Sequence, residues 1–305
     1  MDNMNPLVSV FIVTYNSQDY IIDALESVKS QTYHNIELVV SDDCSKDETL
    51  AIVRGWIKQN AKRFVRTEIV ESSFNTGIPA NYNRAVKACQ GEWLKMMDGD
   101  DMLLNNCISD NIAFVNANPS ANVIFSNGYK FLNSNKENPI GELFSDKDKS
   151  FFLLDNVGQV KSLLKRNILP SITNFVSAEL LQKTPYNEQY RLLEDYPMWL
   201  KLSNTGYTFF YFDKYTAMYR ITSSVSSSAQ YYFPVAYTDC RRCFFYNELL
   251  PLIRKFEDNE AYNLNRRSYF IYDMCEILLR NKKNRINSIL FLGLKLLNRI
   301  VSFKL

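Results

Sequence analysis

Three carboxylates stand within four residues at Asp98-Gly99-Asp100-Asp101, directly after the apolar run Trp93–Met97. Packed so closely, they repel one another and any phosphate brought near them. A hard divalent cation removes the conflict. Mg2+ or Mn2+ takes oxygens from one or two carboxylates, together with phosphate oxygens and waters. The structural alternative is an acidic turn that caps a helix starting near Asp101. A second acidic pair, Asp42-Asp43, closes another apolar run. It either favours the helix that follows or accepts the imide N–H of a base such as uracil. Tyr15 could stack on that base or fill the crevice wall.

These residues need elements that bring them together. Leu7–Val13 is a short, β-branched apolar run and predicts a buried strand. Ile21, Ala24, Leu25 and Val28 follow at helical spacing. Ile36–Val40 predicts a second strand. Ser45-Lys46-Asp47-Glu48 has the form of a capping box, with Leu50, Val53 and Ile57 on the inner face of its helix. Val65–Val70 predicts a third strand. Pro79 opens a helix with Tyr82, Ala85, Val86 and Cys89 inward. Trp93–Met97 is a fourth strand. Strands alternating with helices imply an α/β fold with a doubly wound, mostly parallel, Rossmann-like sheet. In such sheets ligands sit beyond the carboxyl ends of the strands. Thr14–Ser17, Ser41–Ser45 and Asp98–Asp101 all lie at strand ends and should converge there. No G-x-G-x-x-G follows the first strand and no G-x-x-x-x-G-K-[ST] occurs, so no glycine cradle holds phosphates.

Several stretches resemble family 2 glycosyltransferases, which have the GT-A fold. They are Val8–Asn16, Ser27–Tyr33, Ser41–Thr49, Asn75-Thr76-Gly77, Asn83-Arg84-Ala85, Gly91-Glu92-Trp93 and Asp98–Asp101. A last block runs from Tyr186-Asn187-Glu188 through Glu194-Asp195 and Trp199 to Gly206. The resemblance spans roughly residues 7–226, in an order and spacing more specific than a lone D-x-D. It implies an inverting transfer of a sugar from a nucleotide-sugar, UDP-linked by expectation, to an acceptor hydroxyl. It further implies donor contacts from Tyr15, Asp43, Asn83 and Asp98. Asp100 would ligate the metal directly and Asp98 would assist. Asp195 would be the general base. That role needs a carboxylate that reaches the acceptor proton and stays ionised near neutral pH. Read without the family, Glu194-Asp195 is a helix cap before Pro197. Family members often carry a His after a Tyr-Arg pair. Here Tyr219-Arg220 is followed by Ile221 and Thr222, a poor ligand, so either metal affinity would be weaker or the diphosphate would fall to Arg220 and nearby hydroxyls.

The chain has 305 residues and a net charge of +2, enough length for one large α/β domain with an appended tail. The charge is uneven. Residues 280–305 hold seven basic residues and no acid, so with +2 overall the remainder carries −5. A body of that sign is not a nucleic-acid binder by charge. On a helical wheel Ile286, Ile289, Leu290, Leu296, Leu297 and Ile300 share one face, with Lys295 and Arg299 opposite and Phe291 out of place. A basic amphipathic helix of this kind suits an anionic membrane surface; the alternative is a helix packed on the catalytic part with its basic side in water. The expected division is a catalytic domain over 1–226 and a helical region with a basic tail over 227–305. Six scattered cysteines, among them one unaccompanied C-x-x-C (Cys240, Cys243), and a polar start predict reduced thiols in the cytoplasm. The expected setting is thus the inner face of a bacterial membrane, with a saccharide or lipid-linked saccharide acceptor in O-antigen or capsule synthesis. The rival readings are a sugar nucleotidyltransferase, for which the basic phosphate loop is missing, and a non-catalytic nucleotide or carbohydrate binding module of the same fold.

Overall fold

The computed structural model describes residues 5–133, 135–136, 138–221 and 230–301. Thr222 and the serine-rich stretch after it lie outside the described residues. The first half alternates as expected: β1 (Val8–Thr14), α1 (Ile21–Lys29), β2 (Ile36–Asp42), α2 (Thr49–Asn60), β3 (Arg66–Glu71), α3 (Ile78–Ala88) and β4 (Trp93–Asp98). Then come β5 (Met102–Leu103), α4 (Cys107–Ala117), β6 (Val123–Leu132), β7 (Gly141–Glu142), α5 (Asp146–Lys149), α6 (Asn156–Lys165), β8 (Asn174–Ser177) and α7 (Ala178–Lys183). The chain continues with α8 (Asp195–Asn204), β9 (Phe210–Ile221), α9 (Val235–Phe244), α10 (Leu250–Lys255), α11 (Asn259–Leu279) and α12 (Arg285–Ile300).

The described strands form one sheet in the order β3-β2-β1-β4-β8-β6-β9-β5, with β7 beside β6. β3, β2, β1 and β4 are parallel, and β1 and β2 are buried along their whole length. Beyond β4 the sheet is mixed: β8 runs antiparallel to β4 and β6, while β6 and β9 are parallel. The strand order turns back at β1, which lies between β2 and β4. That reversal opens a crevice at the carboxyl ends.

Three local expectations are corrected. Ser45 does not cap α2, which starts at Thr49. Its hydroxyl instead accepts from the Asn16 N–H at 2.8 Å, and Asp47 accepts from the Thr49 N–H at 3.0 Å. Asp42 likewise does not serve the helix. It is fully buried and accepts from the Thr14 hydroxyl and the Ser45 N–H, each at 2.8 Å. No helix begins at Asp101; α4 starts six residues later.

The C-terminal helices are not loosely attached. Phe244, Phe245, Leu249, Ile253, Ala261 and Tyr269 share one buried cluster with Tyr196, Trp199 and Leu200 of α8. α12 forms as the periodicity implied, but it packs through Phe291 and Leu294. The Phe291 ring lies 4.2 Å from Tyr232, and Leu294 joins a cluster with Ile271, Cys275 and Leu279. The apolar face read from the wheel points to solvent: Ile286 and Ile289 are 73% and 72% exposed, and Leu290, Leu296 and Leu297 are also exposed. Packing of that face on the catalytic part is therefore ruled out. Among the described residues no helix is long and apolar enough to cross a membrane.

Candidate active site

Register levels the three polar strand ends. Thr14 pairs with Asp42, and Val13 pairs with Asp98. The loops that follow are tied across β1 and β2. The Gln18 N–H donates to Asp47, and the Lys46 N–H donates to Asn16 at 2.8 Å. Asn16 and Cys44 both take positive φ (52° and 67°) to make these turns. Gly99 donates its N–H to the Val13 carbonyl, and a Cβ there would meet Thr14 Cγ2 and Ser17 Oγ at 3.0 Å. A side chain at position 99 would make Thr14 or Ser17 give way by a few tenths of an ångström, so glycine suits the close fold of the acidic turn onto β1.

Asp98, Asp100 and Asp101 offer carboxylate oxygens that all lie within 4.8 Å of one another. Asp98 accepts from the Tyr82 hydroxyl at 2.8 Å. Burial, then the charge of Asp100, push Asp98 up to about 7 against that hydrogen bond; the charge of Asp195 adds to the rise. Burial, then the charges of Asp100 and Asp98, raise Asp101 well above the carboxylate range. This crowding of oxygens is what a hard dication relieves, so the residues fit one. Arg220 supports the turn from beneath. Its side chain is fully buried, its Nε donates to the Asp100 carbonyl at 2.5 Å, and its backbone N–H donates to Asp101 at 2.8 Å. An ion pair with Asp23 at 2.9 Å and the Tyr20 and Phe131 rings hold the guanidinium. Arg220 is thus not available to a diphosphate, a correction to that expectation.

Asp195 opens α8 and is half-buried. Its Oδ2 accepts from Asn167 Nδ2 at 2.8 Å. One turn on, Trp199 is fully buried and donates its indole N–H to the Leu169 carbonyl at 3.2 Å. The helix start is therefore anchored to the 167–169 segment, and the carboxylate with it. Burial pushes Asp195 up to about 6, although the Tyr196 N–H, Asn167 and the Arg241 guanidinium favour its charge. The charges of Asp101, Asp98, Asp100 and Asp195 all act on the Tyr219 hydroxyl, and burial raises that group first. The acidic turn and Asp195 thus lie close enough for their charges to act on one another and on Tyr219. Asn167 and Tyr219 join this constellation through long-range packing; the sequence marked Tyr219 only as half of the family's Tyr-Arg pair.

The remaining candidates divide. Tyr15 is 48% exposed at the carboxyl end of β1, where a planar ligand can reach it. Asp43 is only 3% exposed. It accepts from the Thr76 N–H and hydroxyl, the Gly77 N–H at 2.8 Å and Arg84 at 2.7 Å. Burial opposes its ionisation, but these donors outweigh burial and hold it below the usual carboxylate value. Its evident task is to join the β2 loop to the start of α3. Asn83 is a correction. Its Nδ2 donates to the Tyr186 carbonyl and Glu188, and its Oδ1 accepts from the Tyr186 N–H at 2.8 Å. The amide is consumed in pinning the 186–188 loop and cannot also serve a donor.

The family model described as "Glycosyl transferase family 2" matches residues 9–169. The Bacillus subtilis (strain 168) chain named as the teichuronic acid biosynthesis glycosyltransferase TuaG is 27% identical over 229 residues, covering 75% of this chain and 84% of that one. The Escherichia coli UDP-Glc:alpha-D-GlcNAc-diphosphoundecaprenol beta-1,3-glucosyltransferase WfaP is 28% identical, covering 66% of this chain and 71% of that one. Among solved structures, S. aureus TarS 1-349 in complex with UDP-GlcNAc superposes with a TM-score of 0.62 at 19% identity, covering 89% of this chain and 76% of that one. The last likeness is one of fold, the GT-A arrangement of sheet and helices.

Proposed function

The chain belongs to glycosyl transferase family 2, and from that premise we propose that it moves a sugar from a UDP-sugar to a hydroxyl of a saccharide carried on a lipid diphosphate, in building a bacterial surface polysaccharide. The observation that carries this reading is the nearness of the acidic turn to Asp195. The substrates that WfaP is named for and the UDP-GlcNAc complex of TarS support the donor and acceptor classes.

Tyr15, exposed at the end of β1, stacks on the base. Asp43, which its donors hold below the usual carboxylate value, accepts the base's imide N–H. Asp100, with Asp98, would hold Mg2+ or Mn2+. The bound cation would offset the charge of the diphosphate and so make it a better leaving group. Asp195, held by Asn167 and the rigid start of α8, takes the proton from the acceptor hydroxyl as that oxygen bonds the anomeric carbon. The bond from that carbon to the phosphate oxygen breaks, and the electron pair leaves with the nucleoside diphosphate. A single displacement from one side inverts the anomeric configuration. One catalytic carboxylate suffices, in contrast to glycoside hydrolysis, which uses two.

The same reading places the protein against an anionic membrane through α12. Support comes from the solvent-facing Ile286, Ile289, Leu290, Leu296 and Leu297, in a segment with seven basic residues and no acid. The direct test of the reaction offers purified protein a panel of nucleotide-sugars with a saccharide-diphosphate-lipid acceptor and follows UDP release, with and without EDTA. Release that needs both acceptor and metal supports the reading. No release from any donor counts decisively against it.

A further inference from the structure

Among the described residues several arginine side chains are paired with acids, and Arg241, beside the start of α8, is not. Arg220 is bonded to Asp23, Arg84 to Asp43 and Arg66 to Glu37. Arg242 meets Asp239, Asp273 and Glu276 on the outer side of α9. Its neighbour Arg241 points the other way. It is half-buried, makes no ion pair among the described residues, and its Nε is shut from water without a hydrogen-bond partner. A buried cation left without a counter-charge is costly, and a buried N–H without an acceptor adds to the cost.

The packing of α9 shows where this cation sits. Tyr237, Arg241 and Phe244 follow at helical spacing and share a face. Phe244 packs edge-on against Tyr196, 4.9 Å between centroids, and Tyr196 directly follows Asp195. One turn back along α9, Arg241 lies beside the start of α8, where its charge favours the ionised form of Asp195. The far side of α9 is fixed by the Tyr269 hydroxyl, which donates to the Arg241 carbonyl at 2.9 Å. The Tyr237, Tyr269 and Tyr272 hydroxyls surround the guanidinium.

We propose that Arg241, with the Tyr237 hydroxyl, is the subsite for a phosphate group of the acceptor. The inference rests on the transfer reading and deepens it. The donor diphosphate belongs at Asp98 and Asp100, whereas Asp195 must face the acceptor. An acceptor that carries phosphate approaches Asp98, Asp100 and Asp195, whose charges oppose it. A fixed cation on the acceptor side offsets that repulsion, and a planar guanidinium binds phosphate with two parallel hydrogen bonds.

Two measurements test this. The first needs no turnover: binding of inorganic pyrophosphate in the presence of EDTA is measured by calorimetry for the wild type, Arg241→Gln and Arg241→Lys, with melting curves to confirm folding. Loss of a charged hydrogen-bond pair predicts that Arg241→Gln binds roughly tenfold to a hundredfold more weakly, with Arg241→Lys between it and the wild type. Equal binding by the wild type and Arg241→Gln overturns the inference. The second compares a saccharide-diphosphate-lipid acceptor with the same saccharide as a neutral alkyl glycoside. The preference for the phosphate acceptor should fall by a similar factor in Arg241→Gln through a raised KM. An unchanged preference, with both acceptors losing kcat equally, would show a residue that only positions Asp195. If the wild type turns over no acceptor, the transfer reading fails, and the binding measurement alone decides the role of Arg241.

Discussion

Replacing Asp195 with Asn removes a base while sparing the fold around it. The amide oxygen of Asn can still accept from Asn167 Nδ2, now 2.8 Å from the carboxylate, and α8 keeps its Trp199 anchor. With the carboxyl pushed up to about 6, a simple titration leaves it about 97% ionised at pH 7.5, half at pH 6 and about a tenth at pH 5. A positioned general base contributes on the order of 10²–10⁴ in rate, or about 3–5 kcal/mol of barrier. At pH 7.5 the Asn variant should therefore lose that factor in kcat. Donor binding should change little, because the donor contacts proposed above lie at Tyr15, Asp43, Asp98 and Asp100. The sign in pH follows from the same value. Protonation stops the base, so the wild-type rate should fall about tenfold per unit below pH 6 and level off above it. The assay is UDP release at saturating donor and acceptor over pH 4.5–9, with donor affinity measured separately. A loss under tenfold, or one expressed wholly as weaker donor binding, would refute the assignment. So would an acid limb that breaks near 4, where an exposed aspartate titrates.

Four other outcomes follow from named contacts. EDTA should abolish transfer and Mn2+ restore it, and Asp100→Asn should raise the Mn2+ needed for half-maximal rate at least tenfold; full activity in EDTA would remove the cation from the site. Asp43→Asn should lower stability by about 2–3 kcal/mol in urea unfolding, somewhat under the roughly 3–5 kcal/mol for breaking a fully buried pair, because Arg84 keeps some contact with water. Arg220→Lys cannot reproduce the fork that joins Asp100, Asn133 and Asp23; a lower melting temperature together with a raised metal requirement is expected, and an unchanged requirement would mean the turn holds without it. Ile289→Glu with Leu290→Glu should abolish sedimentation with phosphatidylglycerol vesicles and preserve transfer to a water-soluble acceptor, whereas unchanged sedimentation would exclude α12 as the contact.

The parts of the site that could be read from sequence are those whose cause is local. The strands β1, β2 and β4 are short β-branched or apolar runs, and each ends where a polar cluster begins. Parallel order and register then bring those clusters level, as Thr14 opposite Asp42 and Val13 opposite Asp98 show. Residues whose roles come from distant partners were not legible in the same way. Ser45 has the composition of a cap, yet its hydroxyl is engaged by Asn16 across the neighbouring loop. Asn83 sits in a family motif, but the 186–188 loop consumes its amide. Arg220 was read as facing a diphosphate and instead buttresses the turn that would hold it, because Asp23, nearly two hundred residues earlier, supplies its counter-charge.

Helix α12 shows the limit most clearly. Its wheel was correct, and the apolar face exists. The wheel carries no information about which side meets the protein, and the residue that broke the pattern, Phe291, is the one that docks. An apolar stripe is a statement about what a helix can bury, not about what covers it. A soluble domain that covered the stripe itself would gain roughly 1.5–3 kcal/mol for each large side chain. Here the larger stripe stays outside while an aromatic contact and Leu294 secure the other side. That arrangement makes sense where another apolar phase is the second partner. It also ties the membrane reading to the transfer reading, since a lipid-borne acceptor would approach the protein from the same surface that α12 would occupy.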